Sequence, residues 1–227
     1  MHPRISVIIP AFNEEKSIGL VLDALPQELL HEVIVVDNNS TDNTARSAIE
    51  KGARVVEEKR RGYGSACLKG ISELDNPHIV VFLDGDFSDY PEEIIKLVAP
   101  IESGEMDFVL GSRMILPESR LALLPQSRYG NQLAVFLMRL FFRHQYTDLG
   151  PFRAIRYGAL QSIAMQDTNF GWTVEMQIKA IKKGLRILEI PVKYRERVGV
   201  SKITGTFSGT IKAGTKIIYT IFKYLLT

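Results

Sequence analysis

Five short apolar runs separated by segments of helical periodicity constrain this chain more than any other feature. The runs are Ile5–Ile9, Val33–Val36, Arg54–Val56, Ile79–Leu83 and Phe108–Leu110, most of them rich in β-branched residues. Near-continuous apolar runs of this length suit strands buried on both faces, as parallel strands are. Between them, Glu14–Leu25, Thr41–Lys51, Tyr63–Leu74 and Pro91–Ile101 read as helices. Strands alternating with helices predict an α/β fold, a mostly parallel central sheet flanked by helices in a single domain. Asn13, then Ser40 or Thr41, then Ser88 or Asp89 are expected to cap the first, second and fourth helices. Pro91 would sit in the first turn of the fourth.

The second half is less periodic. Residues 112–128 hold two prolines and three arginines and are expected to form a mobile loop. Asn131–Phe142 reads as an apolar helix, and Trp172–Lys183 as another, ending at Gly184. Leu185–Ile190 and Val192–Arg195 read as a strand pair bent around Pro191. In Gly209–Thr227, Lys212, Lys216 and Lys223 share a narrow helical arc, and Ile211, Ile217, Ile218, Ile221, Phe222 and Leu225 the broad arc opposite. That pattern fits a core-packed helix with an exposed basic stripe, or an interfacial helix lying on an anionic membrane. The division expected is a main domain over residues 1–205 and an amphipathic helix over 206–227, part of the same domain or facing a membrane.

Charge supports a restricted set of partners. The total of +2 gives no footing to a nucleic-acid binder. Residues 193–227 carry seven basic residues against the single Glu196, a net +6, which leaves −4 for residues 1–192. A basic end on an acidic body suggests an anionic contact. Cys67 is the only cysteine, which rules out an internal disulfide and fits a reducing compartment. The N-terminus reaches charge too early for a secretory signal, and no run of 18 uncharged apolar residues occurs. The expectation is a cytoplasmic protein, or one seated peripherally on the cytoplasmic face of a membrane.

The chemistry concentrates at strand ends. Asp84-Gly85-Asp86 follows the run IVVFL and precedes a helix, so both carboxylates belong at the carboxyl end of a central strand, where ligands of open α/β sheets bind. Two hard carboxylates with room for water suit Mg²⁺ or Mn²⁺ carrying a diphosphate. Pro10 to Glu14 and Asp37 to Asp42 end the first two strands on the same edge. Asp37 could accept from a base N–H and Glu14 from a sugar hydroxyl. No G-x-G-x-x-G follows the first strand and no G-x-x-x-x-G-K-[ST] is present, which excludes the common dinucleotide and P-loop sites. The glycines of Arg60–Ala66 suggest backbone lying close to a ligand at a helix start.

The ordered segments VIIPAFNEEKSIG, VVDNNSTDNTA, RGYGSACLKGI, VVFLDGDFSDYPEEI and GSR resemble the family 2 glycosyltransferases of the GT-A fold. Within them the chain looks most like the dolichyl- or polyprenyl-phosphate mannosyl- and glucosyltransferases. TDLGPFRAI, GWTVEMQIKA and IPVKYRERVGVSKI extend the resemblance over about residues 4–205. It implies that Pro10, Ala11, Asn13 and Glu14 line a nucleotide pocket with Asp37 facing the base. Asp84 is implied near the ribose and diphosphate, and Asp86 at the divalent metal. Arg113 is implied to face an acceptor phosphate, with Ser127 and Arg128 nearby in the S-R-x-x-N match. Arg197, Ser201 and Lys202 match a segment that approaches phosphates. The basic residue expected just before the S-R-x-x-N match falls near Leu123, where this chain departs from the pattern, and Arg120 is the candidate substitute.

The reaction so implied is inverting transfer of a sugar from a nucleotide-diphosphate sugar to a polyprenyl or dolichyl phosphate, with Mg²⁺ or Mn²⁺ as cofactor. A hydroxyl acceptor would need a base, for which Glu175 is the candidate; the competing reading of Glu175 is a structural carboxylate at a helix start. A non-catalytic sugar-nucleotide-binding protein is opposed by the intact Asp84, Asp86 and Arg113. Either the last helix suffices as a membrane seat or a membrane-protein partner is required; a homo-oligomer is the other partner expected.

Overall fold

A computed structural model describes residues 3–199 and 207–226. The elements in chain order are β1 (Ile5–Ala11), α1 (Ile18–Ala24), β2 (Glu32–Asp37), α2 (Thr44–Glu50), β3 (Arg54–Glu57), α3 (Tyr63–Ser72), β4 (Ile79–Phe82), α4 (Ile94–Glu102) and β5 (Phe108–Ser112). There follow α5 (Pro117–Ala122), α6 (Pro125–Phe142), β6 (Arg153–Arg156), α7 (Tyr157–Ile163), α8 (Trp172–Lys182), β7 (Ile187–Pro191) and α9 (Phe207–Leu226). The seven strands form one sheet in the order β3-β2-β1-β4-β6-β5-β7. Every pairing is parallel except those of β6, which runs antiparallel to both β4 and β5.

Strand alternation assigns the two cores. Ile8, Ile34, Val36, Val80 and Phe82 point into one, beneath α3, α6, α8 and α9. Val7, Ile9, Val35 and Val81 point into the other with residues of α1 and α4. A Cβ on Gly70 would come within 2.5 Å of the Ile8 side chain, so α3 needs glycine there to lie this close to the sheet.

Several expected boundaries move. Asn13 does not cap α1: its backbone is left-handed (φ 54°), and its Oδ1 accepts from the Thr41 N–H, tying the end of β1 to the loop after β2. The segment 112–128 is not one irregular loop. It holds α5 and the first turn of α6, each opened by a proline at a position where its missing N–H costs nothing. The strand expected beyond Pro191 reduces to an isolated bridge between Tyr194 and Asp89. β6 and α7 were not anticipated. β6 is only four residues long and carries Arg153, fully buried and donating to the Thr173 carbonyl.

An ion pair fastens the far edge of the sheet. The Asp107 carboxylate accepts from the Arg186 backbone N–H at 3.1 Å and from its guanidinium at 2.9 Å, and these bonds hold the carboxyl down to about 2. The folded value lies below the ordinary one, so this stabilisation is complete above about pH 4 and is lost as pH falls through about 2. With Arg186 half exposed, Asp107→Asn is expected to cost about 1 kcal/mol at pH 7. Urea melts of the pair should converge as pH approaches about 2, where a persisting gap would contradict the assignment.

Candidate active site

The carboxyl ends of β1, β2 and β4 meet in a crevice of about 300 Å³. Its walls include Pro10, Ala11 and Glu14 after β1, Asn38 after β2, Asp84 and Asp86 after β4, and Arg197 from the segment beyond β7. Of the expected site residues, the fold thus gathers Pro10, Ala11, Glu14, Asp84, Asp86 and Arg197. Asn13 and Asp37 stand behind the wall as braces, with Asp37 Oδ1 accepting from the Ser40 N–H. Ser127 and Arg128 open α6 outside the crevice. Ser201 and Lys202 lie outside the described residues.

Electrostatics mark the β4 end. One oxygen of Asp84 is buried with no hydrogen-bond partner. Burial first, and then the Asp86 charge, push the Asp84 carboxyl up to about 7. Asp86 is better served: Ser88 donates to Oδ1 from its N–H at 2.9 Å and its hydroxyl at 2.5 Å. Arg197 spans the crevice, Nη1 lying 3.1 Å from Asp86 Oδ2 and Nη2 2.6 Å from Glu14 Oε1. A guanidinium on both carboxylates shows that this pocket draws positive charge. Asp89 is buried beside it with both oxygens unpartnered, and burial followed by the Asp84 charge raises its carboxyl.

The donor set tests well against a divalent cation. The Asp84 and Asp86 carboxylates line the crevice, and hard oxygens of this kind, one of them buried without a hydrogen bond, suit Mg²⁺ or Mn²⁺. Among the described residues no group of three or more His, Cys, Asp or Glu could cage an ion. That fits a cation held by one or two carboxylates together with ligand phosphates.

Arg113 is fixed rather than free. Asp148 Oδ2 accepts from its N–H and its Nε, and Oδ1 from its Nη2, at 2.8–2.9 Å. Burial opposes the Arg113 charge, but Asp148 prevails and raises the guanidinium pKa. The loop carrying Asp148 is pinned by Asn131 of α6, Gln177 of α8 and Glu189 of β7. Nη1 is the guanidinium nitrogen left out of these bonds.

Glu175 is corrected by its surroundings. It is fully buried in α8 and does not line the crevice. Its carboxylate accepts from the Gln166 and Asp167 N–H groups and the Tyr224 hydroxyl, and pairs with Lys179 at 2.8 Å. It therefore holds the turn at 166–167, whose next residues, Asn169 and Phe170, wall the crevice. The glycines that open α3 serve the same loop. A Cβ on Gly62 or Gly64 would overlap the Thr168 or Asp167 carbonyl, so both admit protein backbone, and Gly62 also lines the crevice.

Sequence reasoning missed Phe12, Arg61, Asn38 and Asp148. The Arg61 guanidinium covers the Phe12 ring at 3.1 Å, forming a flat lip on the crevice. Asn38 donates to the Glu58 and Arg60 carbonyls and accepts from the Gly62 N–H. Phe12 and Arg61 lie inside motifs already singled out. Asp148 lies inside the quoted segment TDLGPFRAI, but nothing local signals its pairing with Arg113, 35 residues away.

An open sheet with an acidic crevice at the carboxyl ends of its parallel strands is an α/β fold with its ligand site at the edge where such sheets bind ligands. The chain belongs to glycosyl transferase family 2, whose family model matches residues 6–164. An uncharacterized glycosyltransferase of Mycobacterium tuberculosis is 37% identical over 210 residues, 92% of this chain and 94% of its own. A dolichyl-phosphate hexose transferase of Haloferax volcanii is 32% identical over 220 residues, 94% and 92% of the two chains. The fold also matches a solved glucosyl-3-phosphoglycerate synthase of Mycobacterium tuberculosis, in complex with Mn²⁺, UDP and phosphoglyceric acid. The TM-score is 0.81 at 23% identity, over 98% of this chain and 78% of that one. The protein is a nucleotide-sugar glycosyltransferase of the GT-A fold.

Proposed function

We propose that this glycosyltransferase moves a sugar, with inversion, from a nucleotide-diphosphate sugar to a polyprenyl phosphate. The observation that carries the acceptor class is the state of Glu175. The candidate base for a hydroxyl acceptor is fully engaged in holding a loop, 0% exposed and off the crevice. A phosphate oxygen arrives already ionised and needs no strong base. It attacks the anomeric carbon as the bond to the diphosphate breaks, and the electron pair leaves with the diphosphate.

Asp86, with Asp84 beside it, would hold Mg²⁺ or Mn²⁺. A cation bound there supplies charge stabilisation to the departing diphosphate. Arg197 gives up its carboxylate contacts and turns to the phosphates, a charge-assisted contact of the same kind. Arg113, oriented by Asp148, offers Nη1 to the acceptor phosphate. Pro10, Ala11 and the Phe12–Arg61 lip receive the nucleoside. The full-length similarity to a dolichyl-phosphate hexose transferase supports the lipid acceptor.

A second reading, a small phosphate-bearing acid as acceptor, is favoured by the fold match to the phosphoglycerate enzyme. A panel of labelled nucleotide sugars, incubated with the purified protein, Mn²⁺ and a lipid extract, tests the proposal. Label from one donor is expected in the organic phase as a mild-acid-labile product. Label confined to water-soluble product would overturn it.

A further inference from the structure

Four consecutive carbonyls line the turn that follows β4, and one short stretch of chain binds all of them. Val198 donates its N–H to the Asp86 carbonyl at 3.0 Å, and Arg195 donates its N–H to the Ser88 carbonyl at 2.9 Å. The Arg195 guanidinium supplies the other two bonds, from Nε to the Phe87 carbonyl at 2.8 Å and from Nη2 to the Asp89 carbonyl at 3.2 Å. A single residue thus satisfies three peptide groups in a row. None of the three belongs to a helix or to a strand of the sheet, so their acceptors depend on partners of this kind.

The turn is one that needs holding. Phe87 has φ 61°, in the left-handed region that a bulky side chain rarely adopts. Such a conformation persists where the surroundings over-determine it. Across Phe87, the Ser88 N–H reaches back to Asp86 Oδ1 at 2.9 Å, so the path of the turn sets the direction of the Asp86 carboxylate. The central carbon of the Arg195 guanidinium lies 3.6 Å from the centroid of the Phe87 ring and 4.1 Å from that of Tyr90. The group that binds the Phe87 carbonyl therefore also packs on its ring.

Arg195 is itself held in place by its neighbours. Glu93 accepts from the Lys193 N–H at 2.8 Å, Ser119 accepts from the Tyr194 N–H at 3.0 Å, and Tyr194 bridges to Asp89. Arg197, two residues further on, reaches Asp86 Oδ2 in the crevice, whereas Arg195 is not among the crevice walls.

We propose that Arg195 is a positioning residue for sugar transfer, which shapes the 86–89 turn so that the Asp86 carboxylate is aimed to hold a divalent cation. The proposal rests on the cation reading of Asp86 and adds to it a residue that touches neither cation nor substrate. Losing an outer partner of this kind costs about tenfold to a hundredfold in metal affinity. The sign of the effect separates shape from charge. Arg195 is a cation beside a cation site, so relief of repulsion alone would tighten metal binding on its removal. Loss of shape weakens it.

Mn²⁺ binding to the full chain, read by EPR from the free ion, alone and with UDP or GDP added, provides the test. Arg195→Met keeps an unbranched chain over the two rings and removes the guanidinium donors. It should weaken Mn²⁺ binding about tenfold to a hundredfold at a temperature where a thermal melt shows it folded. Arg195→Lys keeps the charge but cannot span two carbonyls with one planar group, so it should fall between Arg195→Met and wild type. It serves alone, as weaker binding than wild type, if Arg195→Met fails to fold. Lys193→Met, which removes a neighbouring charge and leaves the turn intact, should not weaken binding. Asp86→Ala should lose it. Arg195 variants that bind Mn²⁺ as tightly as wild type or more tightly, whatever their melting temperature, while Asp86→Ala loses it, would overturn the role of Arg195 alone. Wild-type Mn²⁺ binding that survives Asp86→Ala would remove the cation reading of Asp86, and the proposal with it.

Discussion

Asp86→Ala is expected to reduce sugar transfer by at least about a hundredfold to a thousandfold, the scale of losing one pre-aimed electrostatic group at a reacting centre. The structure shows why the loss should be specific. Asp86 lies beyond the end of β4, its Oδ1 fixed by Ser88 and its Oδ2 directed across the crevice to Arg197. Its side chain bonds only Ser88 and Arg197 among the described residues, and the remaining Arg197–Glu14 pair keeps the segment after β7 attached. The melting temperature should therefore stay within a few degrees of wild type, whereas the response to added Mn²⁺ should vanish. Steady-state kinetics across a Mn²⁺ series, beside a thermal melt, reads both. Transfer within about tenfold of wild type, still rising with Mn²⁺, would falsify the role given to Asp86.

Glu175→Ala should act in the opposite manner, on stability. Removing a buried, paired carboxylate leaves the Gln166 and Asp167 N–H groups, the Tyr224 hydroxyl and the Lys179 ammonium without their acceptor. Breaking a buried ion pair from one side costs about 3–5 kcal/mol. For a chain of this length that is a fall of roughly 6–20 °C in Tm. Tyr224 belongs to α9, so the same change loosens the attachment of the terminal helix. Glu175→Gln keeps one acceptor oxygen and should fall between. At a temperature where it stays folded, Glu175→Gln is expected to keep its kcat within about tenfold and its pH profile unchanged. A variant that melts like wild type but loses kcat a thousandfold would restore Glu175 as a base.

The parts of the fold that local pattern can encode were readable. The strands β1, β2 and β4 are β-branched runs buried on both faces, and their periodicity carries that burial directly. β6 was not readable, because a four-residue strand holding a buried arginine resembles a surface turn until its tertiary partners are known. The same limit applies to the site. Asp84 and Asp86 announce themselves by position after a strand. The grip of Asp148 on Arg113 joins residues far apart in sequence, and no spacing rule reaches that distance. The glycines before α3 show a further failure: they imply close approach correctly but do not say to what, and the answer is the loop held by Glu175. The terminal helix was read as either core or interfacial. Burial of Ile221 and Tyr224 supplies the first, and exposure of Phe222 and Leu225 leaves the second open on its other side.

Acceptor competition in one tube tests the central claim most directly. Purified protein, Mn²⁺ and the labelled nucleotide sugar it accepts would be offered polyprenyl phosphate in anionic vesicles together with an equal amount of 3-phosphoglycerate. The structure predicts that the label enters the lipid phase, that Arg113→Ala lowers this transfer about tenfold to a hundredfold with little change in donor binding, and that the water phase stays unlabelled apart from donor. Label passing to 3-phosphoglycerate, with the lipid phase blank, would contradict it.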